Sequence, residues 1–219
     1  MTSEEIAASK KIASIIRYGK KGESLALKLA RQGVRTRADL KKPQIFSILP
    51  RESQSNVMYN PVRSFSLSVA KEIIKSITPR AIPVGSVRRE RSTIKDLDFL
   101  IVSDGSEFNP CKTCLVLDNY VSGKYRKSYI IKHKNKNYKC DFFFTTPVEK
   151  PYALFHYTGS KQYNIRIRAY AKKKGWLLNQ HGIFNRSGKR VSGTEAIKTE
   201  RDIANFLGVT FRPPTDREK

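Results

Sequence analysis

Two aspartates, Asp96 and Asp98, flank a single leucine at the head of an apolar run, Asp96-Leu-Asp-Phe-Leu-Ile-Val102. Alternate residues of a β-strand share a face, so both carboxylates point one way while Leu97 points the other. A third acid, Asp141, stands inside another apolar stretch, Tyr138-Lys-Cys-Asp-Phe-Phe-Phe144. Three ionised carboxylates gathered on one sheet face repel one another and are costly to desolvate. Divalent cations resolve that conflict, and Mg2+ suits a site of few carboxylates completed by water and phosphate oxygens. The competing reading pairs each Asp with a basic side chain at a strand end, a common fate for an isolated D-x-D.

The segment just upstream weighs against that plainer reading. Gly85-Ser-Val-Arg-Arg-Glu90 sets a Gly-Ser turn and two arginines ahead of the acids. Glycine lets backbone approach a ligand closely, serine can bind phosphate oxygens, and arginine grips them bidentately. Together the two segments put a phosphate grip beside a metal platform.

Short strands rich in β-formers are predicted to carry these residues: Asp96–Val102, Cys114–Leu117, Tyr129–Ile131 and Tyr138–Phe144, with a hairpin turn at Lys134-Asn-Lys-Asn137. Before them, residues 1–62 read as helical. Ile12, Ile15 and Ile16 recur at helical spacing, Gly19 and Gly22 bracket a turn, and a second helix stops near Gly33. Residues 63–77 form a further amphipathic helix with Phe65, Leu67, Val69, Ile73, Ile74 and Ile77 inward. After Pro151 the pattern predicts a helix from Ser160 to Lys174 stopped by Gly175, short strands at 176–178 and 183–184, and a helix over 200–207. Helices, then a small mixed sheet, then a mixed end make an α+β fold.

Composition narrows the partner. With 43 Lys+Arg against 19 Asp+Glu the formal charge is +24 over 219 residues, and the usual reason to tolerate such self-repulsion is a polyanion. At 39% hydrophobic the chain is too apolar for a disordered basic tail. Its cleanest apolar stretch, Phe99–Val102, falls far short of the ~20 residues of a membrane helix. Acids at Glu4 and Glu5 stand where a secretory signal would be basic. Three cysteines make no disulfide framework, which points to a reducing compartment. Cys111-Lys-Thr-Cys114 reads first as plain thiols, with a local disulfide or a zinc pair as the alternatives, and Cys140 as a lone thiol.

The ordered motifs resemble the nucleotidyltransferase superfamily, and within it the family X, polymerase beta-like DNA polymerases. GSVRRE (85–90) and DLDF (96–99) match the palm motifs, and KCDFFF (139–144) supplies the third acid. YTGS (157–160) and NIRIR (164–168) look like the nucleotide-binding turn and first thumb helix. The segment 199–219 is similar to the family's closing helix, aromatic-Arg-x-Pro and charged tail. Residues 149–159 and 166–174 look closest to a compact viral member. The resemblance spans about residues 12–219. It implies a fingers-like helical region (1–62), a catalytic palm (63–148) and a thumb (149–219), without room for an N-terminal lyase domain.

The resemblance also implies roles. Asp96 and Asp98 would hold two Mg2+ ions, with Mn2+ able to substitute, and Asp141 the one near the primer end. Gly85, Ser86, Arg89 and the Gly159 backbone would hold the triphosphate of a dNTP. Tyr157 would lie along the deoxyribose, and Asn164 would reach the base edge. Arg168, four residues on and so on the same helix face, would touch the template. Lys172 and Lys173 would contact the DNA backbone. Lys20, Lys21 and Gly22 stand where a Gly-x-Gly hairpin normally approaches DNA phosphate, and Lys139, counted with the DNA contacts, stands where an Arg usually buttresses the third Asp. His156 replaces a common Tyr; it either bonds the nucleotide or packs as a satisfied histidine.

The implied reaction is templated addition of dNTPs to a primer 3′-hydroxyl in short gaps of gapped or nicked DNA, as in base-excision repair. A monomer is expected, with a DNA ligase acting next and no membrane. The site of action is intracellular; for a viral chain it is the host-cell cytoplasm, with virion and nucleus left open. Two other readings use the same motifs: a template-independent nucleotidyltransferase, and a non-catalytic binder of DNA ends.

Overall fold

A computed structural model of the chain describes residues 2–17, 19–104 and 108–218. In chain order, α1 (Ser3–Ile16), α2 (Gly19–Arg31), α3 (Arg37–Leu40), α4 (Pro43–Phe46) and α5 (Arg51–Tyr59) precede β1 (Phe65–Ser66), α6 (Leu67–Ile74), β2 (Ile82–Pro83) and α7 (Gly85–Arg88). Then come β3 (Thr93–Ile94), β4 (Leu97–Val102), β5 (Leu115–Ser122), β6 (Arg126–His133) and β7 (Lys136–Thr145). The chain ends with α8 (Lys150–Thr158), α9 (Lys161–Lys173), β8 (Leu177–Asn179), β9 (Gly182–Phe184) and α10 (Glu200–Leu207). The fold is α+β, with a mixed five-stranded sheet ordered β2-β4-β7-β6-β5. β2 runs antiparallel to β4, and β4 runs parallel to β7.

The chain forms two compact units, the first comprising Met1–Val62, Val116–Ser122 and Ser128–Lys139. Its helical part opens at Thr2, whose hydroxyl and Glu5 form a reciprocal capping box at the start of α1. Ile12, Ile16, Leu29, Leu40 and Val57 are fully enclosed in its core. Asn56 donates from Nδ2 to the Ile16 carbonyl at 2.9 Å, and Arg51 and Ser55 both bond Asp118. The expected turn between Gly19 and Gly22 lies earlier. Arg17 and Gly19, with φ of 50° and 55°, already reverse the chain, so Gly22 is buried inside α2. Lys20 and Lys21 are accordingly exposed on a helical turn and not at the tip of a hairpin.

The second unit comprises Arg63–Leu115, Gly123–Lys127 and Cys140–Lys219. The helix expected over 63–77 is shorter, because Ser66 accepts from the Val69 amide and caps α6, leaving Phe65 in β1. Ile73 and Ile77 are buried, whereas Phe65, Leu67, Val69 and Ile74 are only half-buried. Cys111 and Cys114 are joined as a disulfide, where thiols were the first expectation. An isolated bridge to Ile77 fixes Cys111, and the short C-x-x-C turn brings the two Cα atoms to 5.2 Å, within disulfide reach. Cys140 is a buried free thiol. One core of this unit gathers Tyr152, Phe155, Tyr163, Ile167, Ile183, Ile203 and Leu207 beneath α8, α9 and α10. α8 itself escapes the sequence pattern: its apolar residues are not periodic, and Pro151 at its first turn reads as a breaker although proline is well tolerated there.

Candidate active site

β4 and β7 pair in parallel with Asp98 opposite Asp141, so the two side chains share a sheet face. Asp96 lies in the bend just before β4, close enough for its charge to act on Asp98. The short α7 closes on this edge. Gly85 has φ +57°, and a Cβ there would lie 2.2 Å from Asp98 Oδ2. Only a residue without a side chain lets the Gly-Ser turn rest against the acid. The Val84 amide donates to the Asp98 carbonyl at 2.9 Å, tying the turn to the strand.

Above this edge opens a cavity of about 770 Å³. Gly85, Ser86, Arg89, Asp96, Asp98, His156, Tyr157, Gly159, Asn164 and Arg168 all line it, so residues from four separated segments come together at one site. Asp141 does not line it: both carboxylate oxygens accept from Arg126 Nη2, at 3.1 and 3.0 Å. Among the described residues no three acidic, His or Cys side chains close into a metal-binding group. The electrostatics nevertheless suit a divalent cation. Enclosure, then the charges of Asp141 and Asp96, push the Asp98 carboxyl up to about 8. A carboxylate so strongly opposed is relieved by a hard cation, and the donors here are all oxygen.

The arginine pair divides its labour. Arg89 faces the cavity and bonds the Thr158 carbonyl and Glu218. Arg88 points away and is held by Glu200 and the Thr158 hydroxyl. Glu200 also pairs with Arg217, a fully buried arginine stacked among Phe155, Tyr163 and Phe211. Gly159, at φ +71°, leaves room for Arg89, whose Nη1 would be 3.1 Å from a Cβ at that position.

Tyr157 stacks on Phe143 with ring centroids 4.0 Å apart and planes at 14°. Ser160 caps α9 by accepting from the Tyr163 amide, which fixes the face presented by Asn164 and Arg168. Asn164 donates to the His156 carbonyl at 2.7 Å, leaving its buried Oδ1 without a hydrogen-bond partner. Arg168 lies 2.6 Å from His156 Nδ1. Burial first, then the charge of Arg168, lower the His156 imidazole to about 4, so it is the neutral ring that accepts from Arg168.

The candidate DNA contacts are scattered. Lys172 and Lys173 are exposed in the last turn of α9, and Lys20 and Lys21 are exposed on α2 in the other unit. Lys139, expected to contact DNA, is instead nearly buried, donates to Glu52 at 2.7 Å and lies over the Tyr120 ring, because its strand position turns it toward α5 and β5 of its own unit. Sequence reasoning missed Arg126, Phe143 and Glu218. Arg126 carries no motif, Phe143 reads as core, and Glu218 lies 129 residues from the arginine it meets. The one signal for Glu218 is an acid in a basic, motif-bearing tail.

Residues 153–218 match the DNA polymerase beta thumb family. The chain is 37% identical over 158 residues to the repair DNA polymerase X of African swine fever virus (isolate Tick/Malawi/Lil 20-1/1983), covering 67% of this chain and 86% of that protein. With the same enzyme of isolate Pig/Kenya/KEN-50/1950 the identity is 35% over 178 residues, 75% of this chain and 97% of the relative. A DNA polymerase/3′-5′ exonuclease PolX of Bacillus subtilis is 28% identical over 231 residues, 98% of this chain and 35% of that protein. The fold, the acid-bearing strands and these matches define a nucleotidyl-transferring enzyme with a polymerase beta-like thumb. The chain belongs to the family X DNA polymerases, as a DNA-directed DNA polymerase that binds DNA. Members of this family use divalent metal ions.

Proposed function

We propose that this polymerase fills gaps of one or a few nucleotides, transferring a deoxynucleoside monophosphate from a dNTP to a primer 3′-hydroxyl and releasing pyrophosphate. The observation that carries the reading is the shared lining of one cavity by Asp96 and Asp98 on one side and Ser86, Arg89 and Gly159 on another. Carboxylates facing a phosphate grip suit phosphoryl transfer, where the protein contributes mainly position and charge. Asp96, Asp98 and Asp141 would hold two Mg2+ ions, or Mn2+ in their stead. When bound, such ions lower the pKa of the attacking hydroxyl and neutralise charge on the phosphates.

The chain's own groups do the rest. Arg89 and Ser86 bind the triphosphate and orient it. Tyr157, rigid on Phe143, forms the wall against which the sugar lies. Asn164 reaches the base and Arg168 the template strand, after each exchanges its present bond to His156. Arg126 leaves Asp141 free to ligate by releasing its ion pair. Lys172, Lys173, Lys20 and Lys21 supply phosphate contacts along gapped or nicked DNA. The nick left by the last addition is a substrate for a DNA ligase. The enzyme acts as a monomer inside the cell, in base-excision repair, and in the cytoplasm of an infected host if its origin matches that of its viral relatives.

Primer extension on a one-nucleotide gap, with each dNTP and rNTP in turn, tests this. One complementary dNTP is added, and Asp98→Ala or Asp141→Ala abolishes addition while gapped-DNA binding survives. Near-normal turnover by either variant, or addition regardless of the template base, overturns the reading.

A further inference from the structure

The cavity already holds a carboxylate that is not part of the acid-bearing strands. Glu218 lines it, with Oε1 accepting from Arg89 Nε at 2.5 Å. This is no loose tail. The preceding Arg217 is buried, lies 2.9 Å from Glu200, and donates from Nε to the Arg212 carbonyl at 3.0 Å. Its own carbonyl accepts from Ser160 Oγ at 2.8 Å. That clamp fixes where Glu218 starts, and the Arg89 side chain it meets is 15% exposed while that of Glu218 is 30% exposed. A carboxylate and a phosphate make the same demand on a guanidinium, namely two oxygens for its planar fork.

We propose that Glu218 is an internal competitor for the triphosphate. It satisfies Arg89 while no nucleotide is bound and is displaced when the phosphates arrive. The inference rests on the reading of Arg89 as a phosphate-binding residue and adds to it a tuning element. Breaking the pair lowers affinity for every anion at Arg89. A triphosphate, which brings several charges and further contacts, overcomes that cost; inorganic phosphate or a nucleoside monophosphate does so far less well. Glu218 thereby sets a threshold: it lowers every affinity by the same factor, which leaves polyphosphates bound at concentrations where single phosphates no longer are.

Calorimetric titration of the full chain with inorganic tripolyphosphate, free of divalent metal, tests the pair without relying on turnover. Glu218→Gln tightens binding about three- to thirty-fold, the range expected for freeing a partly enclosed charge pair, and raises affinity for inorganic phosphate by the same factor. Arg89→Ala weakens tripolyphosphate binding; Arg89→Lys, which keeps charge but loses the fork, replaces it if the alanine variant does not fold. In the Arg89→Ala background Glu218→Gln has no further effect, and in the Arg89→Lys background it has a smaller one. Unchanged or weaker binding by Glu218→Gln in the parent would mean that the glutamate orients Arg89, and overturns the proposal. Equal tightening with Arg89 removed would mean a long-range charge effect, and overturns it as well. Parent-like binding by Arg89→Ala refutes the phosphate-binding reading itself, an outcome distinct from the other two.

Discussion

Asp98 is held at a carboxyl pKa of about 8 in the folded chain, against 3.8 for the free group. Between those values the folded protein keeps a proton that the unfolded chain gives up, so stability falls as pH rises and levels off above pH 8. Asp98→Asn retains the shape and removes the ionisation. Each pH unit inside the window costs the parent at most about 1.4 kcal/mol, or about 2.7 kcal/mol from pH 6 to pH 8. Water on the cavity side screens part of this, leaving about 1–2 kcal/mol. For a chain of this size that is about 2–8 °C in melting temperature. Thermal melts of parent and variant in metal-free buffer at pH 6, 7 and 8 provide the assay. The variant gains on the parent as pH rises, and saturating Mg2+ then stabilises the parent selectively, since only the parent presents a full set of carboxylates. Melting temperatures that shift in parallel across the pH range would refute the account of three mutually opposed acids.

Gly85→Ala puts a methyl 2.2 Å from Asp98 Oδ2 at a positive φ; it costs about 2 kcal/mol or more and depresses nucleotide addition beyond its effect on DNA binding, measured by denaturant melts and primer extension. Arg217→Met leaves Glu200 with Arg88 as its ion-pair partner in an enclosed site and destabilises the protein by about 3 kcal/mol in urea, a loss below about 1 kcal/mol contradicting the network. The His156 ring, followed by NMR, titrates near pH 4, well below a free imidazole at 6.5. As pH falls through that interval the unfolded chain takes up a proton that the folded ring refuses, so stability drops with acidity; Arg168→Ala raises the midpoint, and an unmoved midpoint would sever the two residues electrostatically.

Alternation carried much of this site. Asp96 and Asp98 at the head of an apolar strand, and Asp141 amid phenylalanines, are legible because acids beside and within apolar strands demand a reason. Ser160 and Gly175 likewise bracket α9 by their capping chemistry, and Asn164 and Arg168 follow at helical spacing. Contacts between distant segments were not legible. Arg126 on Asp141, Glu218 on Arg89 and Glu52 on Lys139 join residues 15 to 129 positions apart, and among 43 basic residues nothing local selects a partner. The arginine pair was read as one grip, yet Arg88 is taken by Glu200 because successive residues of a short helix face different directions. The Gly19–Gly22 turn failed for a related reason: Arg17, a non-glycine in left-handed backbone, did the reversing, and no residue-type rule announces it.

The pairing of Asp98 with Asp141 depends wholly on which residue of β7 lies beside which residue of β4. A slip of one position would set a thiol, Cys140, or a phenyl ring, Phe142, where the third acid belongs. Molecules that mispair in this way are inert, not error-prone. Counting the fraction of purified protein able to add one nucleotide therefore also counts the fraction whose strands have docked correctly, which makes turnover a sensitive gauge of refolding quality.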